Sequence, residues 1–330
     1  MAKVSLSNGR FFLCEENSTI FEAAKSHHIA LEHSCLIARC RSCIVRLDSG
    51  ETRDKLDDLV LSKMERQNGY RLACNSIPIT DVSIDVEDLG DVVIYEKKNV
   101  PAKIRTITRL TEDSLHVELR LPPNATLLYN PGQYVNLSKG ELKRSYSIAN
   151  AFSNEKGLTF FIKKYEAGLM SKYWFEDAKI DDLLRVEGPL GTFFLRNLEN
   201  ENIIFLATGT GIAPVKAILE WVNQNTNDFT SKKIWVFYGA RYDQDLYWDP
   251  IELEAIPNLK YIPVLSRPSN QWKGEKGYVQ DVLLRKMLKL KDAQVYACGS
   301  SEMIESAKAV LIQNGLDRRR FFSDAFVATN

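Results

Sequence analysis

The chain has no surplus of either charge: 43 lysines and arginines stand against 43 aspartates and glutamates, for a formal net charge of zero. Nucleic-acid binders normally carry a clear basic excess, so the balance argues against that class. It also lacks any uninterrupted apolar run of the roughly 18 residues that a membrane span needs. The opening Met1-Ala2-Lys3-Val4-Ser5 has none of the apolar stretch of a secretory signal. Internal repeats and low-complexity tracts are missing as well. These absences predict a soluble cytoplasmic protein that partners neither nucleic acid nor membrane. Cysteine is scarce too, at six in 330 residues, which is too few for a disulfide scaffold of this length.

The cysteines that are present lie unevenly. Cys35, Cys40, Cys43 and Cys74 fall in the first 74 residues, with Cys14 and Cys298 left over. Clustered thiols in a reducing compartment suggest metal or redox chemistry before disulfides. Cys35-x4-Cys40-x2-Cys43, with Cys74 following 31 positions later, has the plant-type 2Fe–2S ligand spacing. Closely spaced thiolates let one loop wrap a small cluster, and a fourth from a separate segment ties that loop to the core. The alternatives are four buried or free cysteines, or a tetrathiolate zinc site. Zinc sites usually offer two C-x2-C pairs, and only Cys40 and Cys43 make one here. His27, His28 and His33 nearby read as surface or capping residues.

Three domains are expected. Residues 1–90 read as a small β-rich unit with one helix from Thr19 to His28, and residues 91–100 as a linker. Residues 101–198 carry short strands (Lys103–Arg109, Leu115–Arg120, Tyr134–Leu137, Leu158–Lys163) separated by turn residues, the rhythm of a small barrel or sandwich. Residues 199–330 alternate buried strands (Ile203–Ala207, Ile234–Tyr238, Leu259–Val264, Gln294–Cys298) with helices such as Pro214–Trp221, which implies a parallel sheet in an α/β domain.

Arg144-Ser145-Tyr146-Ser147 lies in the middle domain. An arginine can pair with a pyrophosphate, a tyrosine can pack on an aromatic ring, and the next serine can hydrogen-bond a flavin nitrogen. Further on, Gly168 precedes a helix starting near Leu169, where free amides would point at a phosphate; an ordinary turn and helix cap is the other reading. In the third domain Thr208-Gly209-Thr210-Gly211 turns from strand to helix, with Pro214 in place of the third glycine of the dinucleotide fingerprint. Tyr238-Gly239-Ala240-Arg241 and Cys298-Gly299-Ser300 close two later strands, and open parallel sheets bind ligands at such ends. Taken alone, Cys298 would be a small buried core residue.

Two resemblances give these motifs meaning. Ser34 to Cys43 resembles plant-type ferredoxins, except that Ala38 and Arg41 stand where that family usually has glycine. Pro131-Gly132-Gln133-Tyr134, Arg144–Ser147, Gly168–Ser171 and Gly188-Pro189-Leu190-Gly191 resemble the FAD domain of the ferredoxin–NADP reductase superfamily. The second resemblance implies that Arg144 holds the FAD pyrophosphate, Tyr146 packs on the flavin and Ser147 sits at N5, with Ser145 also in the cofactor-binding set. Gly168, Leu169, Met170 and Ser171 would complete the pyrophosphate site. It implies further that Thr208, Gly209, Thr210, Gly211, Gly239, Arg241, Cys298, Gly299 and Ser300 bind NAD(P)H, with Cys298 facing the nicotinamide. Ser147 and Cys298 are thereby the catalytic candidates. Ser266-Arg267 resembles a pair that grips a 2′-phosphate, although NADH users show a similar pair; NADH is expected, with NADPH left open.

The domain order (a β-grasp ferredoxin, an antiparallel FAD barrel and an α/β nucleotide domain) is similar to one-chain reductases that feed oxygenases and related enzymes. Arg144–Ala151 and Phe321–Val327 most resemble the CDP-6-deoxy-Δ3,4-glucoseen reductase family. That resemblance implies an electron-accepting partner, a pyridoxamine-phosphate sugar dehydratase in 3,6-dideoxyhexose synthesis, with an oxygenase as the alternative. It also implies that Phe326 covers the flavin face, simple packing being the other reading of a C-terminal aromatic. FAD would mediate between the two electrons of a hydride and the single electrons a 2Fe–2S cluster accepts. Arg39 and Arg41 flank the cluster loop, so a partner face bearing carboxylates is expected.

Overall fold

Alternation of apolar and polar residues at the start of the chain produces a hairpin. Ala2–Leu6 pairs antiparallel with Phe11–Cys14, and Val4, Leu6, Phe12 and Cys14 point inward. The next helix, Ile20–Ser26, is set by a capping box: the Thr19 hydroxyl accepts from the Glu22 amide and the Glu22 carboxylate accepts from the Thr19 amide. Its buried face, Ile20, Phe21, Ala23 and Ala24, covers a mixed five-stranded sheet. The sheet order is Phe11–Cys14, Ala2–Leu6, Val82–Ile84, Ile44–Ser49, Tyr70–Leu72, with the first and last segments of the domain paired in parallel. This is a β-grasp domain. The computed structural model describes residues 1–57, 60–90, 92–153, 157–196 and 200–326, and the chain divides into two compact units, Met1–Ile94 and Tyr95–Asn330.

The second unit begins with six antiparallel strands in the order Leu142–Ser147, Tyr134–Lys139, Leu183–Leu190, Lys98–Thr111, Ser114–Arg120, Gly157–Lys163. The long strand starts at Lys98, inside the segment expected as linker, because Lys98 pairs with Gly188. The two edges curl together: Ala149 N donates to Thr159 O at 2.8 Å and Thr159 N to Asn150 Oδ1 at 2.8 Å. Inside lie Ile104, Val117, Leu119, Val135, Leu137, Phe160 and Val186.

After this barrel come strands with no polar alternation, as a sheet covered on both faces requires. Asn202–Thr208, Lys233–Ala240 and Ala293–Gly299 are buried along almost their whole length. They form a parallel sheet ordered Glu275–Lys276, Leu259–Leu265, Lys233–Ala240, Asn202–Thr208, Ala293–Gly299, Phe321–Ala325. The outer strand Phe321–Ala325 was read in the sequence only as a motif. The helix Ile212–Gln224 is longer than expected at both ends and packs on one face; Val279–Arg285 and Ser301–Gln313 pack on the other. Lys216 Nζ donates to Ala149 O at 2.9 Å and Ala151 N to Glu220 Oε2 at 2.9 Å, so this helix is bonded directly to the barrel. Arg196 N donates to the buried Tyr296 hydroxyl at 2.9 Å, a second tie. Among the described residues no helix is long and apolar enough to cross a membrane.

Glu187 joins three barrel segments, reaching Lys97 at 2.7 Å and also Lys143. The two lysines, Lys143 first, pull its carboxyl down from 4.5 to about 2. A depressed carboxyl stabilises the fold above its unfolded pKa and loses that contribution as pH falls toward the folded value. Because both lysines are half exposed, the contribution is about 1 kcal/mol. Glu187→Gln is therefore expected to lower stability by that amount at pH 7 and by progressively less as pH falls from about 4.5 through about 2, as read by denaturant unfolding across pH.

Candidate cofactor sites

The loop after Leu31 carries three non-glycine residues in the left-handed region: Leu36, Ala38 and Arg41, at φ +57°, +56° and +62°. Two of these are the positions where glycine was expected. The backbone adopts the conformation that glycine would allow freely, at a cost of about 1–2 kcal/mol for each residue bearing a Cβ. The result is a chain that turns its amides toward sulfur. Ile37 N and Arg39 N donate to Cys35 Sγ at 3.5 and 3.4 Å, and Cys35 N donates to Cys40 Sγ at 3.3 Å. Cys74 arrives beside Cys43, with the sulfurs 3.2 Å apart. Within each pair one sulfur is biased toward thiolate. Cys35 is pulled down to about 6, chiefly by the Cys40 thiol, and Cys74 is lowered chiefly by Cys43, while Cys40 and Cys43 are raised. The buried Ser42 hydroxyl opposes the rise of the Cys40 thiol.

Two thiol pairs surrounded by inward-facing amides suit a two-iron cluster, each iron taking two cysteines. Cys14 is held apart, with its sulfur on Ser18 O at 3.2 Å. His27 and His33 hydrogen-bond to Leu13 O and Leu31 O, as expected of capping residues. The expectation that Arg41 faces a partner needs correction. Its guanidinium turns back onto the domain, donating to Val60 O at 2.8 Å and pairing with Glu65, whose carboxyl it holds down to about 2. Arg39 remains exposed, next to the exposed Leu36 and Ile37.

On the barrel, Arg144 and Tyr146 project from the same face of Leu142–Ser147, both half-buried. Arg144 Nη1 donates to Lys143 O at 3.1 Å, and the Tyr146 hydroxyl accepts from Trp174 Nε1 at 3.0 Å. Trp174 also meets the Tyr146 ring edge-on, with centroids 6.2 Å apart. Sequence reasoning missed Trp174, since nothing in its spacing points to a tyrosine 28 residues earlier. On the opposite face Ser145 Oγ donates to Asn136 Oδ1 at 2.7 Å, and Ser147 is buried across from Tyr134. The short helix Leu169–Lys172 packs beside this strand and starts at Gly168 without a side-chain cap. Met170 and Ser171 are buried, Leu169 is exposed, and Ser171 Oγ accepts from Tyr165 N at 3.0 Å. An arginine on a strand packed against an uncapped helix start fits a pyrophosphate.

The third site is a crevice at the carboxyl ends of the parallel strands, narrow enough to demand glycine. A Cβ on Gly211 would lie 2.2 Å from Cys298 O, and one on Gly299 2.1 Å from Thr208 Oγ1. On Gly239 it would meet Val279 Cγ1 at 2.8 Å. Thr208 is thus the post around which the later turns fold, and Thr210 is buried behind it. Gly209, with φ +53° and nothing within 4 Å of its missing Cβ, leaves open space that fits a close-lying phosphate. Backbone bonds Ser266 N to Ala240 O (3.0 Å) and Arg267 N to Arg241 O (2.9 Å) continue two strands side by side, and both arginines are exposed. Ser300 Oγ accepts from Met303 N at 3.2 Å, so it caps the following helix. Cys298 is fully enclosed, and burial, then Asp324, pushes its thiol up. Phe326 N donates to Gly299 O at 3.1 Å, which places that aromatic at the same end of the sheet; Val327, the last residue of its motif, lies outside the described residues.

Comparison with known proteins matches each site to a family. Residues 5–78 match the 2Fe-2S iron-sulfur cluster binding domain, 101–195 the oxidoreductase FAD-binding domain and 205–309 the oxidoreductase NAD-binding domain. Over 322 residues the chain is 38% identical to CDP-6-deoxy-L-threo-D-glycero-4-hexulose-3-dehydrase reductase of Yersinia pestis, covering 97% of this chain and 96% of that one. It belongs to the family of that reductase. Protein RfbI of Salmonella typhimurium is 34% identical, covering 97% of this chain and 94% of its own length. The electron transfer component XylA of a Pseudomonas putida xylene/toluene monooxygenase is 30% identical over 96% of this chain and 90% of its own. Among solved structures, the Amycolatopsis cytochrome P450 reductase GcoB superposes with a TM-score of 0.73 at 25% identity, covering 99% of each chain. The chain is an oxidoreductase with domains for NAD, FAD and a 2Fe–2S cluster.

In this reductase fold the helix Ile212–Gln224 can start against Ala293–Gly299 only because Gly211 has no side chain. Gly211→Ala is expected to cost about 1–3 kcal/mol as helix and strand part, and to weaken NADH binding in the same protein. Thermal unfolding and nucleotide titration check both.

Proposed function

We propose that the chain takes hydride from NADH and delivers single electrons to a pyridoxamine-phosphate dehydratase acting on a CDP-4-keto-6-deoxyhexose, in 3,6-dideoxyhexose synthesis. The observation that carries this reading is the 38% identity, over 97% of the chain, with a reductase named for such a dehydrase. The reading divides the chain into a ferredoxin domain (1–90), a linker that ends before Lys98, a FAD domain that opens on the strand from Lys98 and runs to 198, and a nucleotide domain (199–330), and places it in the cytoplasm, where thiols stay reduced. Flavin, when bound, supplies the exchange between a two-electron hydride and one-electron acceptors.

The chain's own residues bind and orient. Cys35, Cys40, Cys43 and Cys74 hold iron, their charge offset by the amides of Ile37 and Arg39. Arg144 and the Gly168–Ser171 turn hold the flavin pyrophosphate, and Tyr146, fixed by Trp174, supports the ring beside Ser147. Thr208–Gly211, Gly239, Gly299 and Ser300 receive the dinucleotide, Arg241 and Arg267 its ribose end. Cys298 and Phe326 sit at the nicotinamide end of the strands. Arg39, with Leu36 and Ile37, forms the face toward the acceptor, a small apolar patch with one cation that suits a carboxylate-bearing partner. A second reading, the reductase of an oxygenase, is favoured by the 30% identity with the monooxygenase component.

Reconstitution with NADH, the dehydratase and its CDP-sugar should yield the 3-deoxygenated product. Brisk turnover with an oxygenase component and none with the dehydratase selects the second reading. Cys74→Ser should lose about two irons per chain and fail to reduce cytochrome c, yet still reduce ferricyanide with NADH, while Cys14→Ser keeps both activities. Arg144→Ala removes a charge-assisted contact worth about 1.5–3 kcal/mol, so FAD should be retained roughly 10- to 100-fold more weakly; wild-type flavin retention would move Arg144 out of the site.

A further inference from the structure

Arg41 stands between two of the four cluster cysteines, where related loops usually carry glycine, and it is not an idle substitution. Its backbone is left-handed at φ +62°, and its carbonyl accepts from Ile44 N at 3.1 Å, closing the turn that presents Cys43. The guanidinium is anchored at two points: Nη1 donates to Val60 O at 2.8 Å, and the fork grips both oxygens of Glu65. Glu65 is itself fixed, with Oε2 accepting from Ser62 N and Ser62 Oγ at 2.9 and 2.8 Å, the capping box of helix Lys63–Gln67. Each partner of the ion pair is about a quarter exposed, so water and salt screen it less than a surface pair.

We propose that Arg41 and Glu65 form a charge-neutral clasp that positions the closing half of the cysteine loop and keeps either charge alone from shifting the reduction potential of the 2Fe–2S centre. The proposal rests on the reading that Cys35, Cys40, Cys43 and Cys74 are the iron ligands. Reduction adds one negative charge to a group already surrounded by thiolates. Net charge and hydrogen bonds around the sulfurs govern how readily that charge is accepted. Paired, the guanidinium and carboxylate nearly cancel at the cluster. Unpaired, each acts alone and with opposite sign: a lone cation favours the reduced state, a lone carboxylate the oxidised one. Arg41 and Glu65 are therefore positioning residues whose electrostatic effect appears only when one of them is removed.

The test is a potentiometric titration of the full-length holoprotein, followed by the electron paramagnetic resonance of the reduced cluster, with iron content measured on each sample. Glu65→Gln is expected to raise the potential, Arg41→Gln to lower it, and the double variant to return close to wild type. Arg41→Gly, whose backbone suits φ +62° without strain, should lower the potential like Arg41→Gln, and Arg41→Lys should restore most of it. A purely structural role would not produce shifts of opposite sign that cancel in the double variant. Shifts of one sign in both single variants, or none in either, overturn the clasp. Wild-type protein with no iron would instead overturn the ligand reading. Where a variant holds too little iron to titrate, release of iron from freshly loaded protein to a chelator is read. Several-fold faster release in Arg41→Gly and in Glu65→Gln, with no further gain in the double variant, supports the clasp; wild-type release from Arg41→Gly overturns it.

Discussion

One helix couples the flavin barrel to the nucleotide sheet. Lys216 and Glu220, one turn apart on Ile212–Gln224, reach Ala149 O and Ala151 N at the edge of the barrel. The same helix begins at Gly211, against Cys298 O. A hydride moves only between atoms held in contact at the right angle, so the relative placement of two cofactor sites matters more than any single group in either. Here the Thr208–Gly211 turn, the barrel edge and the end of the Cys298 strand all refer to one rigid element.

The cofactor sites share a construction: backbone amides and glycines near a charged or soft group, with few side chains committed to chemistry. At the cysteine loop left-handed residues turn amides toward sulfur. On the barrel an uncapped helix start packs against the strand that carries Arg144. At the sheet end Gly239 and Gly299 close on Thr208, and Gly211 on Cys298 O. Electron transfer needs orientation and electrostatics from the protein, since the difficult chemistry resides in the cofactors.

Much of this was legible in the chain because it depends on local spacing. Cysteine separations, the Thr19–Glu22 capping box, unbroken apolar strands and glycines at strand ends each express a constraint within a few residues. What was not legible comes from distant pairing. Trp174 meets Tyr146 across the barrel. Arg41 looked like a free surface charge because its partner, Glu65, lies 24 residues away on a helix too short to stand out. Phe321–Ala325 gave a family motif but no hint that it would become the outer strand beside Cys298. The motif at Pro131–Tyr134 marks the FAD domain, and nothing in its residues signals that Gln133 Nε2 donates to Gly191 O at 2.7 Å and braces the barrel.

Ser300 serves two masters. Its hydroxyl caps Ser301–Gln313 while its backbone follows Gly299 into the nucleotide crevice. Asparagine, aspartate and threonine are also good caps, so a lineage could drift among them without any penalty in folding. Each would nevertheless present a different group where the proposed reading puts the dinucleotide: an amide, a negative charge, or a methyl. Selection for a well-formed helix is blind to that difference, so on that reading cofactor preference can change at Ser300 while the stability of the domain stays silent about it.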